Sequence, residues 1–269
     1  MLVVVALRTA HADDEPLREV LRRAGDYVRT FEADFVSVLT DEIYEQDDYW
    51  PRANIHRRRR TRGELLFMRL PGREVSWLSV RNVLEVDGTP VPDSRDRIER
   101  AIKGDAAGLD DRMRAVREEG ARFNVGSIER NIDDPILPLL FVDPEVRHRF
   151  EFMLGGDDRI AGEPVRRVDF REVERPTLIR QNSGDLFTTG SLWIAVDTGV
   201  VVRTKIAART RGTELFSIAV DYRRDSKLEM WIPARMTEIY RQPRNVEIIY
   251  CGATYSNARR FETSGRVVR

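Results

Sequence analysis

The sequence predicts an α+β fold: one large curved antiparallel β-sheet, an incomplete barrel of about ten strands, with an N-terminal helix and two or three inserted helices covering the concave face. Three observations carry this. Apolar residues near the N-terminus fall at helical spacing. Most of the remaining chain reads as short alternating runs separated by turn residues. Between residues 94 and 131 the period changes back toward that of a helix.

The first helix is expected over Pro16 to Phe31, where Leu17, Val20, Leu21, Ala24, Val28 and Phe31 share one side. Asp13 or Asp14 suits its N-cap and Pro16 its first turn. Strands follow. The run Phe35 to Glu45 places Phe35, Leu39 and Ile43 on one face and Val36, Val38 and Tyr44 on the other, which implies cover on both sides. Ile55 to Leu70 is broken off by Pro71-Gly72, and Val75 to Val86 ends in the turn Asp87-Gly88, completing a meander.

Helices are expected over Ser94 to Lys103 and Leu109 to Asn124, with Gly120 weakening the second. Asn124 to Asn131 reads as a continuation after a break, and Pro135 and Pro138 bracket an apolar stretch ending in Phe141-Val142. Strands return at Phe150–Leu154, Glu163–Glu174, Ser191–Val196, Val200–Ala207, Leu215–Tyr222, Trp231–Arg241 and Val246–Tyr255. In the fifth of these Phe216, Ile218, Val220 and Tyr222 share a face. Val200, Val202 and Ile206 are expected opposite Arg203 and Lys205, with Asp197-Thr198-Gly199 as a tight connection.

The composition narrows function. Lys plus Arg and Asp plus Glu are 45 each, so no global basic field argues for nucleic acid. Lys103, Lys205 and Lys227 are the only lysines, a bias that reads as genome composition before phosphate recognition. Cys251 is the single cysteine; an internal disulfide is excluded, and a packed strand thiol is the simplest reading. His11, His56 and His148 show no ligand spacing, so no metal site is expected, and no cofactor motif appears.

The N-terminal apolar run Leu2 to Leu7, followed by Ala10-His11-Ala12 and then Asp13-Asp14-Glu15, resembles a signal-peptidase cleavage region. A basic n-region is missing and Arg8 interrupts the apolar run. The expectation is therefore residues 1–12 as a truncated signal remnant and 13–269 as a single β-rich domain. A short strand or frayed terminus is the alternative.

The phrases Gly190-Ser191-Leu192-Trp193-Ile194 and Asp197-Thr198-Gly199-Val200 resemble the periplasmic lipoprotein-carrier fold, in which a helix precedes an incomplete barrel; Ala195 and Val196 here intervene before the acid. Leu70-Pro71-Gly72, Trp77, Val86 to Val91, Arg122 to Ile128, and Thr254 to Asn257 with Arg260-Phe261 are similar to a group of secreted proteins from soil bacteria. That resemblance implies the fold and export. It brings no catalytic residues to carry over.

Candidate residues follow. Trp77, Trp193, Phe216 and Trp231 are candidates for lining a ligand surface on the sheet, with ordinary core as the alternative. The run His56-Arg57-Arg58-Arg59-Arg60-Thr61-Arg62 invites an anionic partner such as a membrane surface. Alternation would divide it between two faces, and Glu45-Gln46-Asp47-Asp48 would compensate part of its charge across a hairpin. Carboxylate pairs such as Asp110-Asp111 and Asp133-Asp134 suit caps and turns. The leading expectation is a non-catalytic envelope binding protein that shelters a lipid, an acyl chain or the apolar part of a lipidated protein. The rivals are an interaction protein with a self-filled core and an Arg-rich contact surface, and a secreted hydrolase.

Overall fold

The computed structural model describes residues 14–34, 38–69, 77–103, 108–130, 132–181, 184–242, 246–262 and 266–267. The candidate cleavage region, Phe35 and Val36 lie outside these residues. Helix α1 (Asp14–Asp34) precedes the meander β1 (Val38–Trp50), β2 (Ile55–Arg69) and β3 (Trp77–Val86), with a short β4 (Thr89–Pro90). Helices α2 (Arg97–Ile102) and α3 (Leu109–Ala121) and the 3-10 turns η1 (Leu137–Val142) and η2 (Arg147–Arg149) follow.

The second strand series is β5 (Phe150–Ile160), β6 (Glu163–Glu172), β7 (Arg180–Gln181), β8 (Gly184–Asp185), β9 (Thr188–Ala195), β10 (Val201–Thr210), β11 (Thr213–Asp225), β12 (Met230–Gln242), β13 (Glu247–Glu262) and β14 (Arg266–Val267). The main sheet runs β4-β3-β2-β1-β13-β12-β11-β10-β9-β6-β5, with β14 beside β13. Every neighbouring pair is antiparallel, and β1 pairing with β13 joins the two series. Strand β5 ends the order at one side and β4 at the other, so the sheet stays open.

Curvature follows from which side chains meet. One cluster collects Leu65 and Phe67 from β2, Phe216 and Ile218 from β11, and Phe150 and Phe170 from β5 and β6. Strands so far apart in the order share a core only if the sheet wraps around it. Helix α1 supplies Val20, Ala24, Val28 and Phe31 to this inner face, and η1 supplies Leu139, Leu140, Phe141 and Val142. The Phe141 ring stacks on Phe150 at 4.7 Å and meets Phe170 edge-on at 5.3 Å.

The other helices sit elsewhere. A second cluster joins Ile98 and Ala101 of α2 and Met113 and Val116 of α3 to Leu39, Leu66, Val80 and Phe261. Because Leu39 and Leu66 alternate with the inward Val38 and Leu65, this cluster lies on the opposite face of β1–β3. Both faces of β1 are thus covered, as its double apolar pattern requires.

Two expectations are corrected. A β-bulge between Val201 and Arg203 in the β9–β10 pairing resets the alternation, so Val201 joins the inner core while Val200 and Val202 pack on the outside with Val165 and Ala195. Residues 124–130 form no helix. The Val125 N–H is taken by the Gln46 side chain and its carbonyl by Arg130, and Gly126 adopts φ +84°, which ends any helical ladder. Gly120 has a use beyond its propensity cost: a Cβ there would sit 2.7 Å from the Arg81 carbonyl, so its absence lets α3 lie against β3.

A candidate binding cleft between α3 and the sheet

The close approach of α3 to β3 leaves a cleft of about 590 Å³ beside it. Leu65 and Arg81 come from the sheet, Arg114, Arg117 and Glu118 from α3, and Gly126 to Arg130 from the loop that replaces the expected helix. Asp133, Asp134 and Leu137 complete the wall. Leu65, Ile128 and Leu137 make an apolar portion, while four arginines and four carboxylates share the rest.

Buried polar groups anchor these walls. Arg81 holds Glu42 through two bonds of 2.5 and 3.0 Å, reaches Asp133 at 2.5 Å, and lies 4.3 Å over the Tyr44 ring. Arg130 donates to Gln46 Oε1 at 2.7 Å and to Cys251 Sγ at 3.0 Å. Gln46 also donates to the Phe123 carbonyl at 3.1 Å, so one side chain fixes both arms of the loop. Ser127 N–H donates to Glu247 at 2.7 Å, and its hydroxyl donates to Glu247 with Gln242 Oε1 3.0 Å away.

Beneath the cleft, Glu238 accepts hydrogen bonds from Tyr240 at 2.5 Å and Tyr44 at 3.5 Å. Burial raises its pKa to about 7, with the nearby Asp133 charge adding to the effect. Burial likewise pushes the Cys251 thiol up to about 12, so it stays protonated despite Arg130. Desolvation raises Asp134 as well. These groups hold and position the loop, and the cleft itself offers charge, hydrogen bonds and an apolar wall.

The sequence-derived candidates separate in space. Phe216 is buried in the inner core. Trp193 packs with the outer cluster and Trp231 touches both clusters. Trp77 begins β3 opposite Arg69 in register, and its side chain lies outside the described residues. Among the described side chains, the cleft is lined by others than Trp193, Phe216 and Trp231. Sequence reading missed it because its walls come from two helical regions and two strands, and only the carboxylate doublets Glu118-Glu119 and Asp133-Asp134 carried a local charge signal, which suited caps and turns equally.

The arginine run is paired in register with the acidic one: Glu45 faces Arg60, Gln46 faces Arg59, Asp47 faces Arg58 and Asp48 faces Arg57. Arg58 and Arg60 reach Asp47 and Glu45 at 3.3 and 3.5 Å, and Arg62 reaches Glu85 at 3.7 Å. Arg59 donates to the Phe123 carbonyl at 3.2 Å, and Arg57 is exposed. The expected cross-hairpin compensation is therefore present.

No family model matches the chain and no curated protein matches it. Among solved structures it is similar to a Vibrio parahaemolyticus domain described as an outer membrane lipoprotein-sorting protein, at 9% identity over 90% of this chain and 92% of that one, TM-score 0.39. It is similar to a DUF1329 family protein from Desulfovibrio piger at 11% identity over 89% and 92%, TM-score 0.36. A third likeness is to the MucA/MucB complex of Pseudomonas aeruginosa, at 10% identity over 87% of this chain and 94% of that one, TM-score 0.24.

Proposed function

We propose that this chain is a non-catalytic binding module of the cell envelope that holds an amphiphilic ligand in the cleft beside α3. The observation that carries this reading is the division of space. Much of the inner face of the sheet is filled by α1 and η1, while at its β2–β3 end, where Leu65 and Arg81 stand opposite in register, about 590 Å³ stays open between α3, the 124–137 segment and the sheet. That volume falls within the usual range of small-ligand sites. An acyl or comparable apolar portion rests on Leu65, Ile128 and Leu137, and a polar head meets Arg114 and Arg117. The driving term is apolar surface removed from water, about 25 cal/mol per Å² before ordering costs. Envelope placement is supported by the cleavage-like Ala10-His11-Ala12 pattern and by the resemblance to exported carriers.

The filled inner core also favours a second reading, an interaction protein that binds through its surface alone. Native mass spectrometry with lipid extraction, on protein from the periplasm of its own host, separates the two. A stoichiometric amphiphile that is lost in Arg117→Glu and Ile128→Asp supports the cleft. A clean apo mass, with no uptake of fluorescent fatty acids, overturns it in favour of the surface reading.

A further inference from the structure

The end of the β1–β2 hairpin gathers exposed apolar side chains that the core does not use. Tyr49 is 39% exposed, Ile55 37% and Tyr250 45%, three of the five exposed large apolar residues among those described. Register places them together. Tyr49 faces Ile248, Asp47 faces Tyr250, and Trp50 faces Ile55. Alternation puts Tyr49, Ile248 and Tyr250 on the outer face across neighbouring strands, and Trp50 with Ile55 on the opposite face at the end of the hairpin. The turn between them, Pro51 to Asn54, is exposed.

Charge surrounds this apolar end on one side of the balance. Arg60 and Arg62 are answered by the carboxylates Glu45 and Glu85, but at the hairpin end itself Arg52, Arg57 and Arg58 are exposed, while of the carboxylates there, Asp47, Asp48 and Glu247, the last two are buried. The remaining one, Asp47, serves both His56 and Arg58. Trp50 directs its indole N–H to Asp48 at 3.0 Å. Amphipathic aromatic rings favour the headgroup level of a bilayer, and neighbouring arginines are drawn to anionic lipid phosphates.

We infer that the β1–β2 hairpin tip docks the protein on an anionic bilayer surface, with Tyr49, Trp50, Ile55 and Tyr250 at the headgroup level and Arg52, Arg57 and Arg58 on lipid phosphates. A flat protein partner would be served by the tyrosines as well. The net positive margin around the aromatic end is what selects the lipid surface. The contact is peripheral and reversible, because only a few side chains enter the interface.

The test is co-flotation of the full chain with vesicles of phosphatidylglycerol mixed with phosphatidylcholine, against vesicles of phosphatidylcholine alone. Flotation is expected only with the anionic vesicles, weakening as salt rises. Arg57→Gln and Arg58→Gln each reduce it about fivefold. Tyr49→Ser with Ile55→Ser and Tyr250→Ser reduces it about tenfold or more. Quenching of wild-type fluorescence by brominated phosphatidylglycerol, reduced in Trp50→Phe, reads the same contact without a polar substitution. Equal flotation on phosphatidylcholine, undiminished flotation of the folded triple variant, or self-association of the chain with no vesicle binding would each overturn the inference.

Discussion

Replacing Arg81 by methionine isolates the ion cluster that ties β3 to β1 and to the cleft wall. The Arg81 side chain is only 12% exposed, and its partner Glu42 only 1%. Methionine keeps most of the aliphatic stem but removes both bonds to Glu42 and the one to Asp133. Asp133 is partly solvated and loses little. Glu42 is left as a buried carboxylate without its cation, and breaking a buried pair from one side costs about 3–5 kcal/mol. For a chain of this length that corresponds to a fall in Tm of about 6–20 °C.

The partner variant sharpens the reasoning. In Arg81→Met with Glu42→Leu the stranded charge is gone, and apolar replacement of both partners is often close to neutral. The double variant should therefore be more stable than Arg81→Met alone. Urea unfolding of wild type, both single variants and the double gives the coupling directly. A single-variant cost below about 1 kcal/mol would refute the argument. So would a double-variant cost equal to the sum of the singles, since the two side chains would then act independently.

Three further outcomes follow from the same geometry. Glu238 has a folded pKa raised from 4.5 to about 7, so the folded state holds more protons than the unfolded one in that interval. Its contribution is fully present below pH 4.5 and is lost as pH rises through about 7, by up to about 3 kcal/mol; Glu238→Gln should flatten this decline in urea midpoints compared across that window. Cys251, buried and with its thiol at about 12, should resist iodoacetamide in the native protein and react once urea unfolds it; rapid native alkylation, read by mass spectrometry, would contradict the packing. Gly190→Ala would bring a Cβ to within 1.9 Å of the Lys205 carbonyl and 2.6 Å of the Phe170 ring, so it should destabilise by about 3 kcal/mol or more in thermal unfolding, whereas Gly156→Ala, which meets nothing within 4 Å, should change little.

The sequence by itself determined most of the elements and the sidedness of α1 and β11. The 3.6-residue spacing of Val20, Ala24, Val28 and Phe31 is the inner face of α1, and the two-residue alternation of Phe216 to Tyr222 is the inner face of β11. Turn chemistry held as well: Asp87 and Gly88 take φ of 48° and 85°, and Gly199 takes 74° beneath Arg23 of α1, where a side chain would collide. The opposed acidic and basic runs were legible as a hairpin pair, and antiparallel pairing brings Asp47 to Arg58. Periodicity is a local property, and these features are local.

Tertiary structure alone decided the rest. The bulge at Val201 moved a valine from one face to the other, since one extra residue against a partner strand reverses parity and no local pattern announces it. Residues 124–130 form no helix because Gln46, from distant β1, takes the Val125 N–H, Arg130 takes its carbonyl, and Gly126 turns the backbone to positive φ. Trp193 packed with the outer cluster and Trp231 against both clusters, while the cleft formed where α3, β3 and that loop converge. A strand's faces are set by its own sequence, but what covers each face depends on which distant segment arrives there.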